Sequence, residues 1–197
     1  MPPKAYVLLA DFGARTIHVP VKANVNRATG QPIGYCPGCP QILGGTIPLG
    51  GQWPQTLQAE VQEETVGTYA LNLQTLPVQF YAQQVGGSVY TFYSQPRQTP
   101  GGVIGWTGAP SSPLPMPPPD SPYAWGEMEA MVDVEWEYIP VGVDLPVLAD
   151  ALIALTDAHP TPEARTQFIG SATLLAFQAF VAQLPHDALP TSEERPT

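Results

Sequence analysis

The chain has 197 residues, of which only 12% are charged, and its seven Lys and Arg against 17 Asp and Glu leave a formal charge of −10. So few cations exclude a nucleic-acid backbone as partner, while a small anionic ligand carried with a cation stays compatible. The length suits one domain with a sizeable core, and with 25 Pro and 18 Gly its polarity must come from Gln, Thr and Ser rather than ion pairs.

In chain order, the apolar run Ala5 to Ala10 is too short for a signal core and is cut by Asp11. No stretch is long enough to span a membrane, so a cytoplasmic protein with no membrane partner is expected. Ala5 to Asp11 and Thr16 to Lys22 flank a Gly-containing turn, Phe12 to Arg15, which predicts a hairpin. Residues 23–40 are loop by composition and carry the only cysteines, Cys36 and Cys39, in Tyr-Cys-Pro-Gly-Cys-Pro. A tetrahedral zinc site needs two further ligands, and His18, His159 and His186 stand in no ligand-like spacing. The pair therefore reads as a turn carrying two thiols, ahead of zinc or redox roles.

A short strand at Gln41 to Leu43 would deliver the chain to Gly44 and Gly45, and a helix is expected from about Pro54 to Val66. Its Glu60, Glu63 and Glu64 are offset by three and four positions and so share one face. Like charges crowded near the negative end of a helix dipole call for a counter-ion, and oxygen ligands at this spacing suit Mg²⁺ or Mn²⁺. On its own an ExxEE pentapeptide is more often a solvated helix face. Leu57, Val61 and Val66 are the expected inward residues.

The glycine context changes that balance. Read without a gap, Gly45 to Gly67 resembles the Nudix box, G-x5-E-x7-R-E-U-x-E-E-x-G-U, with U a bulky apolar residue. Gly45 falls on the leading glycine, and Glu60, Val61, Glu63 and Glu64 fall on the E-U-x-E-E core. Three positions depart from the pattern: Gly51 stands at the loop glutamate, Ala59 at the arginine and Val66 at the second glycine, with Gly67 one residue late. The resemblance is to a degenerate box that keeps its metal-binding glutamates and lacks the arginine that orients them.

Beyond the box, Pro77 to Gln84 and Ser88 to Gln95 around Gly86 and Gly87 predict a second hairpin. Pro96 to Pro122 is dominated by Pro, Gly and Ser. No regular element is expected there, and a tether is favoured over a flap, although Trp106, Tyr123 and Trp125 are unusual in a solvated linker. Glu127 to Pro140 should be a strand with Val132, Val134 and Trp136 on one face and Asp133, Glu135 and Glu137 on the other. Asp144 can cap a helix ending before Pro160. Thr161 and Pro162 open another that runs to about Leu184, apolar nearly all round and suited to deep packing or a homodimer contact. The expected domain is residues 1–184, with an insert at about 96–122 and a disordered tail at 185–197.

The resemblance implies an α/β fold, a Nudix-like sandwich of a mixed β-sheet packed between α-helices. It also implies hydrolysis of a phosphoanhydride in a nucleoside diphosphate linked to another moiety, with Mg²⁺ or Mn²⁺ as cofactor. By the same resemblance Glu60, Glu63 and Glu64 are the catalytic and metal-binding residues. The carbonyl of Gly45 is an added ligand, and Glu127 and Glu129 are candidates from the late strand, Glu129 as the further metal ligand. A nucleotide-binding or regulatory module of the same fold with weak or no hydrolysis is the alternative. Arg15, Lys22, Arg27 and Arg97 are the cations available near such a site, and Phe80, Tyr81 or Trp106 could stack a nucleobase.

Overall fold

The unbroken apolar run at the N-terminus suits a strand covered on both faces, and residues Lys4–Asp11 form such a strand, β1. The expected hairpin follows, with β2 (Thr16–Lys22) antiparallel to it and Leu9 opposite His18. Asp11 closes the turn, its Oδ1 accepting from the amides of Gly13 and Ala14. The computed structural model describes residues 1–109, 113–117 and 127–185.

On the other edge of β1, β6 (Ser88–Pro96) runs parallel, pairing Lys4 with Tyr90 and Ala10 with Pro96. The second expected hairpin joins β6 to β5 (Val78–Val85) through Gly86 and Gly87, at φ +55° and +85°, the left-handed pair that a tight hairpin turn requires. β8 (Met128–Glu135) pairs antiparallel with β2, giving the order β5-β6-β1-β2-β8. β3 (Leu43–Thr46) takes the first half of the β1 edge, Lys4 to Val7, before β2 takes the rest.

Alternation along β1 sends Val7 and Leu9 to one face and Leu8 and Ala10 to the other. On the first face α1 (Trp53–Glu64) buries Leu57 and Val61, beside a two-stranded sheet of β4 (Ala70–Leu71) and β7 (Trp106–Thr107). On the second face lie α2 (Leu145–Leu155), α3 (Pro162–Ile169) and α4 (Ala172–Val181), packed through Leu152, Phe168 and Phe177. The fold is α/β, a mixed sheet between helices. No helix among the described residues is long and apolar enough to cross a membrane.

Several elements differ from expectation. The strand before α1 is Leu43–Thr46 rather than Gln41 to Leu43, because the glycines themselves pair with β1. Thr65, fully buried and donating its hydroxyl to the Val61 carbonyl, fills the inward position expected of Val66. Part of the Pro-rich insert is built into the core: Trp106 and Leu114 are buried, and Arg27 binds the carbonyls of Leu114 and Met128 at 2.6 and 2.9 Å. Tyr123, Trp125 and residues 186–197 lie outside the described residues. Trp136 is buried as expected but sits in a 3-10 turn, Trp136–Tyr138, after β8 has ended.

The long final helix is in fact two. Gly170 ends α3, and Ser171 caps α4 by accepting from the Leu174 amide at 3.1 Å. A glycine followed by a capping serine starts a new helix more readily than it continues the old one. Both cysteines are wholly buried under α3, where the Cys36 amide donates to Gln167 Oε1 at 2.9 Å and the Cys39 thiol to the Ala164 carbonyl at 3.5 Å.

Candidate functional site

The site begins at two glycines that are needed for different reasons. Gly44 has φ +143°, and a Cβ there would collide with the Ala5 carbonyl and Tyr6 on the neighbouring β1. A Cβ at Gly45 would instead collide with the Glu60 carboxylate, so this glycine is what lets α1 bring that carboxylate against the strand. The Gly44 amide donates to Glu64 Oε2 at 2.8 Å, fastening the last turn of α1 to β3 from the other side.

Helix α1 starts with Pro54 in its first turn and no side-chain cap at Gln52. Trp53 anchors this end by stacking on Tyr93 at 4.1 Å, with the rings 6° from parallel. At the other end the Val66 amide bonds the Glu63 carbonyl and the Gly67 amide the Gln62 carbonyl at 2.7 Å, the doubly bonded reversal that ordinarily requires a left-handed glycine. Here the left-handed residue is Val66, at φ +53°. The backbone keeps the glycine conformation at the box position although the side chain is branched.

Glu60, Glu63 and Glu64 from α1 converge with Glu127, just before β8, on a cavity of about 300 Å³ that Gly44 and Thr46 also line. Burial raises the pKa of Glu60, and the charges of Glu63 and Glu127 raise it further, against a smaller opposing effect of Lys4. Glu64 is raised well above the usual carboxylate range, chiefly by burial and in part by Glu60; the Gly44 amide and Lys22 pull the other way. Lys22 holds Glu127 in an ion pair at 3.2 Å. The two lysines therefore supply part of the positive charge that Ala59 does not. Ala59 is exposed and lines an adjoining hollow of about 370 Å³ with Thr46, Gln55 and Glu63.

No family model and no curated protein matches the chain. Similar solved structures include a MutT Nudix hydrolase from Burkholderia pseudomallei, 13% identical over 88% of this chain and 100% of that one, with a TM-score of 0.44. A Nudix hydrolase from Nitrosomonas europaea is 14% identical over 90% of each chain, with a TM-score of 0.39. The E. coli ORF135 protein is 16% identical over 79% of this chain and 90% of that one, with a TM-score of 0.38.

The cavity brings together Glu60, Glu63 and Glu64, with Gly45 against the Glu60 carboxylate, and of the two late-strand candidates it gathers Glu127. Glu129 does not line the cavity. It occupies an irregularity of the β2–β8 ladder, where pairing passes from Ala130 to Met128, and its charge acts on Arg27. Of the four cations expected nearby only Lys22 takes part: Arg15 reaches the Pro185 carbonyl, Arg27 braces the insert, and Arg97 lies over Trp106 beside Asp11. Lys4 was not foreseen, although its place at the start of β1, opposite Thr46, puts it beside the box strand. Trp106 is wholly buried, Phe80 packs on Phe180 and Tyr81 on Phe92, whereas Tyr6, Tyr35 and Tyr90 line a second cavity next to the carboxylates. Away from the site, buried His18 meets the Tyr69 hydroxyl at 3.1 Å and Asp133 at 3.5 Å.

The donor set fits a hard divalent cation in its chemistry: carboxylates only, two of them held toward the protonated form, chiefly by burial and further by neighbouring carboxylate charge that the lysines offset only in part. Among the described residues no three His, Cys, Asp or Glu side chains stand in a ready-made coordination geometry. Coordination would thus require side-chain rotation, which mutually repelling carboxylates at the end of a helix can supply.

Proposed function

We propose that this protein is a divalent-metal-dependent hydrolase that cleaves a phosphoanhydride in a nucleoside diphosphate linked to another moiety. The observation that carries this reading is the convergence of Glu60, Glu63 and Glu64 with Glu127 on one cavity, with Gly45 cut back so that Glu60 can reach it. Mg²⁺ or Mn²⁺ held by these carboxylates and the Gly45 carbonyl would offset the diphosphate charge and lower the pKa of a bound water. The chain's own part is to aim that water and take its proton. Glu60 and Glu64, both raised from the usual value of 4.5, are better matched to accepting a proton near neutral pH than an ordinary surface carboxylate. The Gly44 amide fixes one Glu64 oxygen and leaves the other free to act.

A nucleotide-binding module with weak or no hydrolysis is favoured by one observation, the lack of an arginine at Ala59. Turnover of a panel of nucleotide sugars, dinucleoside polyphosphates and nucleoside triphosphates with Mg²⁺ and Mn²⁺ separates the two. Ala59→Arg should raise turnover of the best substrate about tenfold, since the adjoining hollow has room for the side chain and the new cation can orient Glu60. Gly51→Glu is not a clean companion change, because a Cβ there would press on Pro48 at 2.7 Å. If neither the wild type nor Ala59→Arg turns over any compound while a nucleotide still binds, the binding-module reading replaces the hydrolase.

A further inference from the structure

The strand order β5-β6-β1-β2-β8 ends on two edges that are made differently. β8 carries Glu129, Asp133 and Glu135, charges that repel an approaching strand. β5 carries neither charge nor proline, and no charged residue stands anywhere between Glu64 and Arg97. Among the described residues β5 pairs only with β6, so its outer edge is unpaired. Gln79, Ala82 and Gln84 are exposed, as are Val85 and, more fully, Val78 at 64% and Leu76 at 57%. Edge strands are ordinarily blunted by charge, proline or cover, and this one has none of them along its length.

The strand is also complementary to itself. Its ladder with β6 passes from Gln79 to Tyr81, which leaves Phe80 as the extra residue of a bulge. Across that bulge Val78, Tyr81, Gln83 and Val85 share the face on which Phe80 meets Phe180 of α4, and Gln79, Ala82 and Gln84 share the open face. A second β5, antiparallel and centred on Ala82, then sets Ala82 against Ala82, Tyr81 against Gln83, Gln79 against Gln84 and Val78 against Val85. Each pair joins residues of the same face, as antiparallel neighbours must, and each bulge meets the regular half of the other strand. Shifted by one residue, the covered face of one copy would meet the open face of the other. Charge points to the same occupant. Two copies of a chain with a net charge of −10 repel over most of their surface, and the uncharged hairpin is where they can approach.

We propose that β5 is the interface of a two-fold dimer, in which the β5 strands of two copies of this chain pair antiparallel about Ala82 and join their sheets into one. A two-fold contact of this kind uses up both neutral edges and leaves the charged β8 edges outermost, so assembly stops at two copies. The inference stands apart from the phosphoanhydride reading but touches the site. Val85 lines the cavity of Tyr6 and Tyr90 next to the carboxylates, and the pairing brings the partner's Val78 to its rim.

Sedimentation velocity of the full chain from about 1 to about 100 µM, where modest interfaces associate, tests this. Wild type should pass from the 21.1 kDa protomer to a dimer. Ala82→Lys and Ala82→Glu should each stay monomeric with unchanged circular dichroism, because the residue is exposed and the axis sets each new charge against its own copy. Mixed in equal amounts, the two variants should form a dimer containing one of each. Should either charge change prevent folding, Ala82→Cys carries the test. Opposite residues of antiparallel strands have Cα atoms about 4.5–5.5 Å apart, within reach of a disulfide, so copper-phenanthroline oxidation should cross-link this variant into dimers. A wild type that is monomeric throughout, a dimer that survives both charge changes, a mixture that stays monomeric, or an Ala82→Cys chain that does not cross-link would overturn the inference.

Discussion

At the scale of single residues, the carboxylate cluster sets stability against function. Glu60 and Glu64 have pKa values raised above 4.5 in the folded chain, so the native state binds their protons more tightly than the unfolded state does. Their contribution to stability is complete below pH 4.5 and is lost as pH rises through their folded values. A cation reverses this by stabilising the ionised form. Thermal melts at pH 8 should therefore show Mg²⁺ raising the midpoint, and the increment should shrink as pH is lowered toward 5 and protons compete with the metal. Glu64→Gln should stabilise the metal-free protein at pH 8 by about 1 kcal/mol, by removing a charge that the Gly44 amide and Lys22 offset only in part. The same change, like Glu63→Gln, should remove most of the metal-dependent increment. An increment that survives both substitutions would show that the cation binds elsewhere.

Among the elements, α1 is the one whose sequence and backbone disagree most. Its C-terminal reversal is built on Val66 at φ +53°, a conformation in which a β-branched side chain is strained by about 1–3 kcal/mol. Val66→Gly should raise stability by about 1 kcal/mol in a denaturant titration with an unchanged slope; a loss of stability would show that the half-buried valine packs well enough to outweigh its strain. Both hairpins, the position of α1 and the helices of the second face were legible because each has a local cause: a Gly-Gly turn, a Pro after a capping position, an apolar period. The break at Gly170 and Ser171 was written equally locally, but an apolar period of the right spacing on both sides masked it. For the site, helical spacing was enough to group Glu60, Glu63 and Glu64. Choosing Glu127 over Glu129 was not possible in the same way, because a one-residue irregularity of the β2–β8 ladder decides which of them reaches the cavity. The tyrosine wall was likewise hidden, since the parallel pairing of β1 with β6 is what brings Tyr6 and Tyr90 together, and Tyr35 joins them from the loop between β2 and β3.

For the molecule as a whole, the two faces of the sheet carry separate cores, and the Pro-rich insert belongs to the α1 side through Trp106 and Leu114. A tether would tolerate truncation. Leu114 is 1% exposed, so Leu114→Ala should cost about 2–4 kcal/mol by urea unfolding, whereas a cost below 0.5 kcal/mol, the range of an ordinary surface change, would return the segment to the status of a linker. The arrangement of β1 has a consequence for how the chain is made. It is translated ahead of the other described strands and is the hub of the sheet, yet Lys4 finds its parallel partner only at Tyr90, and β2 waits for β8 to cover its outer edge. During synthesis the most apolar strand must therefore stay soluble, half-paired in its hairpin with β2, until nearly half the chain has emerged. The acidic helix is translated within that interval, so the carboxylates are assembled before the sheet that braces them is closed.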